Sequence, residues 1–173
     1  IVVNDTDTTA AADFSAENDG GGSITFTDSG DIALGLVDAD TGNVTLGSGG
    51  SITDDNGSDG NVVANAATLN AANGIGSSDA LETTITTLTA TNSTSGDINI
   101  NEASGLTITG VQTQGGSGNI NVDVDTGVLN VSGAVTADGN GGVTLNTDAG
   151  NLLVNNTITA NSSGNITLTA SGS

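Results

Sequence analysis

Three segments decide the fold: Gly118-Asn119-Ile120-Asn121-Val122-Asp123, Gly141-Gly142-Val143-Thr144-Leu145-Asn146 and Gly164-Asn165-Ile166-Thr167-Leu168-Thr169. Each opens on glycine and then alternates an apolar residue with Asn, Thr or Asp. A period of two marks a strand with one buried face, here Ile, Val and Leu inward and polar residues outward. The three segments follow one another at a fixed step of 23 residues. A constant step of this size marks stacked repeats.

Working outward, Ile98, Ile120, Val143 and Ile166 form one series, and Ile100, Val122, Leu145 and Leu168 move with it. A second series is Ile85, Ile108, Val131 and Val154, extended backwards by Val62, with Leu106, Leu129 and Leu152 two residues earlier. Leu88, Val111, Val135 and Ile158 mark a third, shorter position. Gly, Asn, Asp and Ser fill the intervals, where corners are needed. Three short strands cannot bury their apolar faces within one coil, whereas stacked coils share a continuous core. The expected fold is all-β, a parallel β-helix with coils of about 23 residues. Right-handed crossovers are the rule for parallel strands. Upstream the pattern loosens to Ile24/Phe26, Ile32/Leu34 and Val44/Leu46, with a longer corner near Gly74–Asp79. Residues 22–173 are read as the β-helix. Residues 1–21 do not match the repeat and are read as a cap, or as a strand exchanged with a neighbouring molecule.

The chain has 173 residues with 20 acidic side chains, no Lys, Arg or His, and a formal charge of −20. Nucleic acids are excluded as partners, because phosphate binding rests on Lys and Arg. No apolar run approaches the 18 or more residues of a membrane helix, so no membrane insertion is expected. Serine, cysteine and zinc hydrolase sites rest on His or Cys, and both are absent. About seven coils at roughly 4.8 Å would space the charges about 1.7 Å apart along the axis, the axial density of duplex DNA. The chain begins at Ile1 with no leader-like segment and is read as a processed product or an excised piece.

The segment Ala71-Ala-Asn-Gly-Ile-Gly-Ser-Ser, followed by Leu81-Glu-Thr-Thr-Ile-Thr-Thr-Leu-Thr-Ala-Thr and Ser95-Gly-Asp-Ile-Asn-Ile-Asn-Glu, resembles repeats of the giant filamentous-haemagglutinin-like exoproteins. The resemblance covers roughly residues 60–173. It implies a rod secreted by Gram-negative bacteria and displayed at the cell surface, with host-surface or glycan receptors as partners. It transfers no catalytic residue. Residues 1–21 do not resemble the secretion domain of that family.

The acid-rich corners are the candidates for ligand chemistry. Asp54, Asp55 and Asp59 lie in Asp54-Asp-Asn-Gly-Ser-Asp-Gly, and Asp38 and Asp40 in Asp38-Ala-Asp-Thr-Gly-Asn. Hard cations take carboxylate, amide and backbone oxygens, so these five are candidate calcium ligands. Neither run is an EF-hand: Gly49 stands where the first loop needs an acid, and Asp59 where the second needs glycine. Asp123/Asp125 and Asp5/Asp7 repeat the Asp-x-Asp spacing, which also admits a carboxylate glycosidase or carbohydrate-binding helix. The favoured reading is a non-catalytic structural rod, and the competing structural one is a filament or sheath subunit joined through its ends or its N-terminal strand. An ice-binding face is tested on Thr83, Thr107, Asn130 and Leu153, placed here at equivalent positions, where the threonine ladder is broken.

Overall fold

The computed structural model describes residues 1–5 and 11–172. Among them every regular element is a strand and all strand pairing is parallel. The first strands are β1 (Val2–Asp5), β2 (Ala11–Glu17), β3 (Ile24–Asp28), β4 (Ile32–Asp38), β5 (Asn43–Ser48) and β6 (Ile52–Asp54). Two long strands follow, β7 (Val62–Ala71) and β8 (Leu81–Asn92), then β9 (Ile98–Glu102), β10 (Leu106–Thr113) and β11 (Ile120–Val124). The last are β12 (Leu129–Val131), β13 (Val135–Ala137), β14 (Val143–Thr147), β15 (Leu152–Val154), β16 (Ile158–Ala160) and β17 (Ile166–Ala170). The chain is a β-solenoid of about seven turns, with coils about 22 residues apart.

Two ladders run the length of the rod. One passes through β1, β3, β5, β7, β8, β10, β13 and β16. The other passes through β2, β4, β6, the single bridging residue Ile75, and then β9, β11, β14 and β17. Residues 1–21, which do not match the sequence repeat, thus carry β1, paired in register with β3, and β2, paired with β4 through two register shifts. The second ladder stacks Ile32, Ile52, Ile75, Ile98, Ile120 and Val143 directly over one another, all without accessible surface. Burying each such side chain is worth about 1.5–3 kcal/mol, and aligned like residues fill a narrow bore without gaps.

The register of Ile98, Ile120, Val143 and Ile166, and of their partners from Ile100 to Leu168, is the one the sequence periodicity predicts. So is the pairing of Ile24 with Val44 and of Phe26 with Leu46. Two series are corrected at their upstream ends. Ile108 lies over Leu88, not Ile85, and Val111 lies over Ala90, not Leu88. Ile85 pairs with Ala64, and Val62 with Thr83. The coil joining β8 to β10 is short, with a step of 20 residues up to Ile108 and of 21 beyond a bulge between Ile108 and Gly110, which adds a residue to β10. In the next coil the same place has opened into a gap between β12 and β13. A long strand thus becomes two strands and a corner, and a third face carried by β12 and β15 begins there.

The glycines that head the three diagnostic segments hold a corner at its closest approach. A Cβ on Gly118 would run into the Gly96 carbonyl, one on Gly141 into that of Gly118, and one on Gly164 into that of Gly141. At the far ends of the strands, inward polar side chains tie the chain to the corners. Asn92 donates to the carbonyls of Ser95 and Gly96, Thr113 to that of Gly118 at 3.1 Å, and Thr147 to that of Gly127 at 3.1 Å. These bonds satisfy turn carbonyls that would otherwise be unpaired in the interior.

Candidate functional site

The acidic corners fold as turns. Asp38 Oδ1 accepts from the Asp40 amide at 2.7 Å, while Asp40 sits in the left-handed region at φ 52°. Asp54 Oδ1 accepts from the Asn56 amide at 2.9 Å and from Asn61 Nδ2 at 2.7 Å. Asn61, fully buried, also donates to Asn56 Oδ1 and the Leu34 carbonyl, so its amide organises the loop from within. Asp55 and Asp59 are exposed on that loop. Such side-chain-to-backbone bonds are the ordinary chemistry of Asx turns. Among the described residues no group of three or more acidic side chains is placed to hold a metal ion. Asp123 lies on β11 and Asp125 just past its end, whereas Asp7 falls outside the described residues.

A concavity lies over β9, β11 and β14. This groove of about 550 Å³ is lined by Asn99, Asn101, Asn121, Asp123 and Asn146, and walled by the Ser78–Ala80 turn. The lining side chains stand in two columns: Asn99, Asn121, Thr144 and Thr167, beside Asn101, Asp123, Asn146 and Thr169. Three of their amides are spent within the protein. Asn121 Nδ2 donates to Asn99 Oδ1 at 2.6 Å, Asn146 Nδ2 to Asp123 Oδ1 at 2.7 Å, and Asn99 Nδ2 to the Gly76 carbonyl at 2.8 Å. The face is therefore a hydrogen-bonded ladder that knits coils together.

Two glutamates were not singled out by sequence. Glu102 has no accessible surface, and burial raises its carboxyl above the ordinary glutamate range. Opposing that rise, Oε2 accepts from Thr83 Oγ1 at 2.7 Å and from the Ile85 amide at 3.0 Å. Oε1 accepts from the Ser104 amide at 3.1 Å and Ser104 Oγ at 3.0 Å. Its inward place was legible, because Ile98-x-Ile100-x-Glu102 keeps one parity. Glu82 also has a raised carboxyl, chiefly from burial, with Asp54 and Asp79 adding repulsion. Its Oε2 and the Oδ1 of its ladder neighbour Asn101 are both enclosed and without a hydrogen-bond partner.

Comparison with protein families, with curated proteins and with solved structures gives no match.

Proposed function

We propose that this chain is a structural extracellular rod, the shaft of a bacterial surface adhesin or filament, and that it is non-catalytic. The observation that carries this reading is the pair of unbroken parallel ladders, from β1 to β16 and from β2 to β17. They give a stiff spacer, and amide hydrogen bonds between Asn99 and Asn121 and between Asp123 and Asn146 knit its coils together. The chain's charge, −20 with no basic residue, fits a surface exposed to water on every side. Purified chain imaged by electron microscopy or measured by X-ray scattering is expected to be a rigid particle roughly 34 Å long, from about seven turns at about 4.8 Å. A particle that is not elongated, or hydrolysis of oligosaccharides, rules the reading out.

A self-assembling filament subunit is the second reading. It is favoured by apolar side chains bared at both ends of the rod. Val154, Ile166 and Leu168 are each nearly half exposed in the last coil, and Ile1 and Val3 in the first. Unpaired strand edges of this kind template the addition of further strands. Long regular fibres in the same micrographs, with or without calcium, select this reading over the single shaft.

A further inference from the structure

The register exposes a threonine array that the sequence spacing hides. Thr83 is not the neighbour of Thr107; it points inward and pairs with Glu102. Thr107, Asn130 and Leu153 do stack, as a broken column on the third face. On the first long ladder, however, Thr25, Thr45, Thr68 and Thr89 occupy four successive rungs. Their inward neighbours on those strands are the buried Ile24, Val44, Ala67 and Leu88, so all four face outward. Two residues on, the next outward column reads Thr27, Gly47, Asn70, Thr91, Gln112, Thr136 and Thr159.

Three properties set this face apart. None of the outward residues in these two columns is acidic, in a chain that carries 20 carboxylates. The amide face, by contrast, has Glu82 and Asp123 in its columns. Among the described residues the hydroxyls of Thr25, Thr45, Thr68 and Thr91 make no hydrogen bond, while Thr89 Oγ1 shares one with Thr109 Oγ1 at 2.7 Å and Thr27 Oγ1 donates to Asn4 Oδ1 at 2.8 Å. On the other face Asn121 and Asn146 spend their amides on neighbouring rungs. Finally, a parallel sheet fixes the lattice at about 4.8 Å between rungs and roughly 6.6 Å between alternate residues. A β-branched side chain has few χ1 choices there, so hydroxyl and methyl positions are set in advance.

We propose that this face binds ice. A ligand for it must be uncharged and periodic, and must both donate and accept, because each hydroxyl offers one proton and two lone pairs. The surface of an ice crystal meets all of these conditions. The face is not level, since Thr27, Gly47, Asn70 and Thr91 rim a groove of about 380 Å³. A soluble glycan is the poorer fit, because the chain has no Trp or Tyr to stack on a sugar ring. The inference goes beyond the shaft reading and does not depend on it.

The test is ice growth in the presence of the purified 173-residue chain, read as faceted crystals and a gap between melting and freezing points. Thr68→Tyr, in the middle of the array, is expected to abolish faceting and most of the gap. Thr84→Tyr, the same kind of exchange at an exposed position on another face, is expected to keep both. Circular dichroism confirms that each variant retains its strands. Unfaceted crystals with no gap for the parent chain overturn the proposal, as does equal loss in the two variants.

Discussion

At the scale of single residues the most informative side chain is Glu102. Its carboxylate accepts the Ile85 amide, in the middle of the long strand β8. Replacement by alanine strands that amide together with the Ser104 amide and the Thr83 hydroxyl. The expected cost is about 2–4 kcal/mol, from unpaired buried donors and a cavity. Glutamine keeps the shape and removes the charge. The pH dependence has a definite sign. Burial raises the folded-state value, so between the ordinary glutamate value and the raised one the folded chain holds a proton that the unfolded chain has lost. Stability from this group is full at acid pH and falls as pH rises through that window. Thermal unfolding followed from about pH 4.5 to about pH 7 is expected to show a steeper decline for the parent than for Glu102→Gln. Identical slopes would show that the buried carboxyl contributes nothing. Glu102 was legible by parity alone. Its partners on β8 were not, because Thr83 meets Glu102 through the β8–β9 pairing at a separation of 19 residues, which the 23-residue period does not contain.

At the scale of elements, the glycine before each strand is fixed by contact rather than by dihedral freedom. Gly118, Gly141 and Gly164 each leave room for the carbonyl of the glycine one coil earlier. Gly141→Ala must push that carbonyl away in the middle of a stack, and overpacking of this kind costs about 1–3 kcal/mol. Urea denaturation is the measurement, with Gly57→Ala as a contrast. A Cβ at Gly57 meets nothing within contact distance, so the cost there is limited to its positive φ. Equal losses in the two variants would contradict the close-approach account. Strand faces and corner glycines were readable from sequence because alternation and spacing are local. The upstream register was not. Ile85 and Leu88 are both apolar, and a constant period of 23 selects Ile85 as the neighbour of Ile108, whereas the short coil between β8 and β10 places Leu88 there. The same irregularity of step hid the threonine array, which needs steps of 20, 23 and 21 residues to align.

At the scale of the whole molecule, like-charge repulsion opposes the fold. Twenty carboxylates with no basic side chain repel along a short rod, and added salt screens that repulsion over about 10 Å at 0.1 M. The unfolding temperature is therefore expected to rise with sodium chloride, and further with millimolar calcium, whether or not the ion occupies a discrete site. A melting temperature indifferent to both would show that the carboxylates lie too far apart to interact. The acidic turns at Asp38–Asp40 and Asp54–Asp59 were legible as corners, and the structure gives their side chains turn-forming partners.

The ladder bonds run along the rod axis, which bears on how the molecule answers force. Tension applied to its two ends loads the outermost coil first, opening it rung by rung rather than shearing all coils together. One regular coil, such as that from Ile120 to Val143, occupies about 4.8 Å of axis but holds about 23 residues of contour, roughly 80 Å when drawn straight. Each coil that peels lengthens its own share of the tether about sixteenfold. A stiff spacer at rest would become a long compliant leash under load, and recoil coil by coil when the load is released.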